Sequence, residues 1–470
     1  MKITFFFSVF LIFFVCCNSI FSEELTYQEP TASFIATDSE EKKEITVIEE
    51  RESEKEKEIN TLKFGLEDEI SNMLDGFIKE KTYLYLDEIY DLFNRTKTTA
   101  LKEKIITYFT EAKSDKLSEY TVYTLEDPFD EKVSTVSLLF KYAATMKIKD
   151  VAVFARNLLE NDHLEYLDSV LTALAEIGNS EDAVFLAEFL KRDDLSVAQQ
   201  QSVMKALGKL KSLETWDYLV EICQDEEKNS FVRMYAAEAI GAMKKTESIP
   251  ILIDLYDGTD PNFRASVVKA LGNFIDNEDA ESIVIEAIRD SHPKVRLEAI
   301  NSIKENKVLK SEPYILYRAK NDPEISIKHA CYETLGQFNT KNSLDFLISV
   351  IKDKKAGDSY KSKVAEVIVA TGSKEGIDAV LELTKSTLKD DKKKTLRYSL
   401  GKILAKEQSN LFAEICKEFL QSKDVSTVGI GLDIFSKNLY PEVEEIVNNI
   451  ANAEKADVNR TKARKILDRK

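Results

Sequence analysis

Residues 260–289 read DPNFRASVVKALGNFIDNEDAESIVIEAIR. Asp260 can cap a helix, and Pro261 in a first helical turn forfeits no needed hydrogen bond. Phe263, Val267, Ala270, Leu271 and Phe274 recur at helical spacing and make an apolar stripe, with Gly272 as its small residue. Asn277-Glu278-Asp279 reads as a turn. Ile283, Val284, Ala287 and Ile288 predict a second helix after it. The stretch is one helical hairpin whose first helix carries a small-residue patch, suited to close helix packing.

The hairpin repeats. Its phrase Ala270-Leu271-Gly272 has counterparts in Ala206-Leu207-Gly208, Ala239-Ile240-Gly241, Ala299-Ile300-Asn301, Thr334-Leu335-Gly336 and Ser399-Leu400-Gly401, with a weaker copy at Glu176-Ile177-Gly178. Steps between the third residues from 178 to 336 are 30, 33, 31, 29 and 35, and the 65-residue gap after 336 holds a degenerate copy at Val367-Ile368-Val369-Ala370. A period of this length means stacked supersecondary units, and such arrays present extended binding surfaces. Further pairs are expected at Leu84–Thr96 with Ala100–Ala112, Val136–Ala144 with Val151–Leu159, and Val428–Phe435 with Val443–Ile450.

The pattern Asp290, Pro293, Val295, Arg296, Ala299, Ile300, matched by Asp260, Pro261, Phe263, Arg264, Ala270, Leu271 and Gly272, resembles HEAT repeats, in particular the short bacterial subtype named after phycobilisome lyases. The resemblance is clear from about 165 to 405. It implies an all-α fold, a right-handed α-solenoid of about ten helical hairpins, with the second helix of each pair lining the concave face. Lys-, Ile-, Asn- and Phe-rich usage is similar to that of spirochaetes.

The expected organisation is a signal peptide at 1–22, a charged leader at 23–58, a capping helix region at 59–82, the repeat array at 83–455 and a basic tail at 456–470. Lys2 precedes the apolar run Ile3–Val15, and Ser22 precedes a cut site, the layout of a secretory signal. Cys16 or Cys17 could instead carry a lipid, Cys17 being the candidate, and an uncleaved anchor is the third reading. The protein is expected to be exported and periplasmic, or a membrane-anchored lipoprotein tethered through its N-terminus. Residues 23–60 hold 13 acidic and 5 basic side chains, too charged for a packed core.

The 470 residues carry a formal charge of −18, which argues against nucleic acid, since phosphate binding needs clustered Lys and Arg. Gly is rare at 14 and Pro at 8, as helices require. Three histidines, His163, His292 and His329, fall in separate repeats without HExxH spacing, so no metal is expected. Cys223, Cys331 and Cys416 lie about a hundred residues apart and read as buried thiols, too distant for a disulfide. No phosphate-cradling glycine loop or nucleophile pair appears. The expected function is therefore non-enzymatic: a protein-binding scaffold or adaptor of the bacterial envelope, without cofactor, its partner a protein. A groove-type carrier of peptide or lipid is the first alternative. A bilin-lyase-like enzyme subunit is the second, opposed by the export signal. Oligomeric state stays open. Trp216 and Tyr218 fall on second helices, Trp216 being expected to fill a gap between repeats. Tyr256, Tyr314, Tyr317, Arg318 and Phe346 are the candidate partner-binding residues, because aromatic and Arg side chains are the usual interface anchors.

Overall fold

The computed structural model describes residues 55–454 and 457–468. The segments expected as a signal peptide and most of the leader, with Cys17, lie outside the described residues. From Glu67 to Ala451 the chain forms twelve helical hairpins, and Val458–Leu467 follows as the first helix of a thirteenth, incomplete pair. No strand occurs among the described residues. The fold is an all-α solenoid, with two more hairpins than the period in the sequence suggests.

The type hairpin forms as its residues dictate. The Asp260 carboxylate accepts from the Asn262 amide, Pro261 is the first helical residue, and the helix runs Pro261–Leu271. Asn277 caps the second helix, Glu278–Ala287, by accepting from the Asp279 and Ala280 amides. Many first helices end on a left-handed residue. Lys113, Lys147, Lys211, Lys244 and Lys307 all have φ between 52° and 59°, and Gly372 takes this place in the degenerate copy. There the chain reverses, and the lysine charge sits beside the helix's last carbonyls.

First helices pack on the first helices before and after them along the whole array. The small phrase makes this possible. A β-carbon on Gly208 would lie 3.1 Å from the Ala239 Cα, and one on Gly241 only 2.6 Å from the Ala270 Cβ. The next contact corrects the sequence register. Gly272 faces Ser302, where the first two contacts put an alanine of the phrase. The fourth copy is thus Ser302-Ile303-Lys304, not Ala299-Ile300-Asn301. The steps around it become 32 and 32 residues in place of 29 and 35. Ala299 and Ile300 mimicked the phrase because they are core residues one turn earlier, both fully buried.

Residues 456–470, expected as a tail, contain an ordered helix instead. Ala463 is fully buried. The Lys462 amine donates to the Gly429 carbonyl at 2.8 Å and Asn459 Nδ2 to the Val425 carbonyl at 2.9 Å. A basic residue of the expected tail, Lys462, thus helps fasten this helix to the preceding pair. Cys223, Cys331 and Cys416 are free and buried, and burial pushes each thiol up to about 12.

Candidate protein-binding surface

One edge of the array is fixed by arginine. Arg233, Arg264, Arg296 and Arg397 each stand fourth in a first helix and turn back to carbonyls ending the preceding hairpin. Arg233 Nε donates to the Cys223 carbonyl at 3.0 Å, Arg264 Nη1 to Gly258 at 2.9 Å, Arg296 Nη1 to Asp290 at 3.0 Å and Arg397 Nη1 to Thr387 at 3.0 Å. Two of them also reach forward with both prongs of the guanidinium. Arg264 holds Asp290 at 3.0 and 3.1 Å, and Arg296 holds Asp322 at 2.9 and 2.9 Å. These aspartates open the next loop, where Asp290 accepts the His292 amide and Asp322 the Glu324 amide. Burial pushes the Asp290 carboxyl up, but Arg264 and the His292 amide outweigh it and hold the group below its ordinary range.

The two helix layers differ. Successive first helices press backbone against backbone at Gly208 and Gly241, whereas most successive second helices touch at few points. The closer-packed layer is the shorter one, so the array bends around the first helices. This reverses the expectation carried by the resemblance, which put second helices on the concave side.

The inner face has a small-residue floor and charged walls. Clefts of about 330, 270 and 350 Å³ lie between adjacent first helices. Lys205, Lys209, Glu238 and Lys269 flank Gly208 and Ala239 in one; Glu333, Lys363 and Glu366 flank Gly336 in another. Their charges pair from repeat to repeat: Lys147 and Lys209 on Glu176, Lys269 on Glu238 at 2.6 Å, and Lys304 and Lys363 on Glu333 at 3.0 and 2.7 Å. Pairs this exposed contribute little to stability, on the order of 0–1 kcal/mol each, so a ligand can exchange them at low cost.

Glu298 stands apart on this face. Burial raises its carboxyl, Lys269 draws it down, and Glu238 and Glu305 add repulsion, leaving it above the ordinary range. An acid whose folded value is raised destabilises the fold once pH exceeds its unfolded value of about 4.3, and the penalty grows until pH passes the folded value. Glu298→Gln is therefore expected to raise the urea midpoint at pH 7.5 and leave it unchanged at pH 3.5. Equal shifts at both pH values would contradict this account of Glu298.

The residues singled out from the sequence do not converge. Trp216 is buried, donates from Nε1 to Ser248 Oγ at 2.8 Å and lies under the Lys245 amine, so it bridges repeats as expected. Tyr256 is half-buried, and burial pushes its phenol up to about 12. Arg318 is engaged inside the array: Nε donates to the Ile288 carbonyl at 2.9 Å and Nη1 lies 3.7 Å from Asp322. Tyr314 and Tyr317 are 40% and 62% exposed, but on the outer layer. The Arg289 guanidinium lies 5.8 Å from the Tyr314 ring and Arg318 5.8 Å from that of Tyr317. Phe346 packs against Tyr332, their ring centres 6.3 Å apart, and lines a cleft with Tyr360. Tyr332 and Tyr360 were not among the sequence candidates. The 128-residue offset between Tyr218 and Phe346, four repeats of 32, was a signal that could have led to them.

Stacked hairpins with nearest-neighbour contacts and an Asp–Arg edge define a HEAT-type solenoid. The chain belongs to the family of spirochaete HEAT repeat proteins, whose model matches residues 62–466. No curated protein matches it. Among solved structures it is similar to Kap121p bound to Nup53p, with 13% identity and a TM-score of 0.42, covering 88% of this chain and 52% of that one. The chain thus spans about half the length of Kap121p. It is also similar to the complex of CpcE and CpcF of phycocyanin lyase from Nostoc sp. PCC7120, with 16% identity, a TM-score of 0.29, and coverage of 54% and 94%. A third likeness is to human deoxyhypusine hydroxylase in complex with glycerol, with 17% identity, a TM-score of 0.27, and coverage of 56% and 97%.

Proposed function

We propose that this chain is a non-enzymatic scaffold or adaptor of the bacterial envelope that holds a polypeptide partner along its inner layer of first helices. One observation carries the reading: the clefts at Gly208 and Gly336 combine a floor of small side chains with Lys and Glu walls whose pairs are easily exchanged. Such a surface lets an extended backbone approach closely and offers charges of both signs to its side chains. Lys and Glu ends recur along the walls, partners that a peptide's side chains and backbone can use and a lipid tail cannot, which favours a peptide over a lipid in the carrier reading. Export rests on Lys2 and the apolar run Ile3–Val15. No helix among the described residues is long and apolar enough to cross a membrane.

The test compares two variants of the array with the parent. Lys205→Glu/Lys209→Glu/Lys269→Glu reverses the inner wall, and Glu221→Lys changes an exposed position on the outer layer. For a partner captured from envelope extract and then purified, the inner variant should lose at least tenfold in affinity and the outer one less than twofold. Equal affinity in parent and inner variant would move binding off this face.

A further inference from the structure

The loose packing of second helices leaves a second kind of opening, on the outer edge where Glu312–Asn321 and Lys341–Lys352 end. It is a cup of about 450 Å³ with Tyr332 as its floor and Phe346 and Tyr360 as walls. Tyr332 stands edge-on to Tyr360 at 87° with centres 6.5 Å apart, and Phe346 is tilted 38° from Tyr332 with centres 6.3 Å apart. Such edge-to-face walls accept a further ring readily. The rim is cationic. Lys320 and Lys328 line it, Lys328 lying 5.5 Å from the Tyr360 ring, and the adjoining turn adds Lys352, Lys354 and Lys355. None of these five lysines forms an ion pair among the described residues. Asp353 is the acid that lines the cup, and its carboxylate accepts the Lys355 amide. In a chain of charge −18 this is a local reversal of sign.

A cup at the same place four repeats earlier, about 430 Å³, is lined by Lys191, Arg192, Met204, Tyr218 and Ile222. There Lys191 pairs with Glu188, and Arg192 with Asp162 and Asp194, while Lys228 lines the cup without an ion pair among the described residues. The later cup alone of the two combines three aromatic rings with unpaired lysines.

We propose that the cup at Tyr332, Phe346 and Tyr360 is a docking site for an acidic polypeptide segment, which inserts one aromatic side chain between the rings while its carboxylates meet Lys320, Lys328 and the lysines of the 352–355 turn. Positive charge at the rim selects the sequence around the inserted ring, and the rings supply the buried contact. The cup shares no lining residue with the clefts between first helices, so it holds or fails independently of the function proposed above.

Fluorescence polarisation with labelled peptides on the array tests it. The probes are Glu-Glu-Phe-Glu-Glu, Glu-Glu-Ala-Glu-Glu and Lys-Lys-Phe-Lys-Lys. The first should bind at least tenfold more tightly than either control. Lys320→Glu/Lys328→Glu, both rim changes that leave the rings in place, should invert the preference toward the basic peptide. Phe346→Ala should weaken the acidic aromatic peptide at least fivefold. Should Phe346→Ala fail to fold, the lysine pair decides alone. Affinities within twofold for all three peptides, or an unchanged order in the lysine variant, would overturn the proposal.

Discussion

Gly241→Leu is expected to destabilise the array by at least about 3 kcal/mol, the top of the usual overpacking range. A β-carbon there would lie 2.6 Å from the Ala270 Cβ, 2.7 Å from its Cα and 3.0 Å from its carbonyl oxygen. The obstacle is backbone, which cannot rotate out of the way. Gly272→Leu should cost less, because a β-carbon at that site meets first the Ser302 side chain, at 2.5 Å from Oγ and 2.8 Å from Cβ. Contacts in a repeat array are between neighbours, so the damage should stay local. Hydrogen exchange should show lost protection in the hairpins from Val197 to Ala287 and native protection in those from Asp358 to Ala451. Uniform loss along the chain, or none, would contradict the packing described.

Asp322→Ala should cost about 3–5 kcal/mol, the range for removing one partner of a buried ion pair. The Asp322 side chain is fully buried and that of Arg296 5% exposed, and two hydrogen bonds of 2.9 Å join them. Removing the carboxylate leaves a guanidinium that cannot lose its charge and frees the Glu324 amide as well. The equivalent Asp290→Ala should cost less, because Arg264 and Asp290 are 15% and 7% exposed and water can serve the orphaned cation. Urea melts of the two variants check the order. If Asp322→Ala changed the midpoint no more than an exposed substitution such as Glu221→Ala, the Asp–Arg pairing would contribute nothing to stability. Replacing both partners, as in Arg296→Met/Asp322→Leu, should recover much of the loss.

The fold was legible because its signals are local. Asp260-Pro261, Asn277 and the apolar stripe between them specify caps and helices without help from distant residues. The same holds for the degenerate copy, whose helix Asp358–Thr371 keeps its apolar pattern though the phrase is lost. Register was less legible, since Ala299-Ile300 and Ser302-Ile303 both pair a small with an apolar residue. Deciding between them needed the contact across to Gly272. The last helix escaped notice because its hold on the array runs through Asn459, Lys462 and Ala463, two of them polar side chains bonded to backbone carbonyls. Polar residues that fasten a helix look like solvent-facing ones in a sequence.

The candidate surface was the least legible part. Tyr317 and Arg318 are adjacent in sequence, yet one is exposed and the other is bonded to the Ile288 carbonyl thirty residues back. Which face a second helix shows to solvent depends on how its layer is spaced, and spacing is set by Gly and Ala in the other layer. The inner clefts carry charge pairs such as Lys269 with Glu238, thirty-one residues apart, which no local pattern distinguishes from ordinary solvated Lys and Glu. Tyr332 and Tyr360 belong to different first helices and meet only in the stack.

The account turns on the first helices forming the inner layer. Spin labels placed four repeats apart on each layer measure this directly by pulsed dipolar spectroscopy. One pair replaces Lys209 and Gln337, exposed on first helices, and the other Glu221 and Ser349, exposed on second helices. Each pair spans 128 residues, so a straight array gives equal distances. The account predicts a shorter mean distance for the Lys209–Gln337 pair than for the Glu221–Ser349 pair. Equal distances, or a shorter one on the second helices, would contradict it.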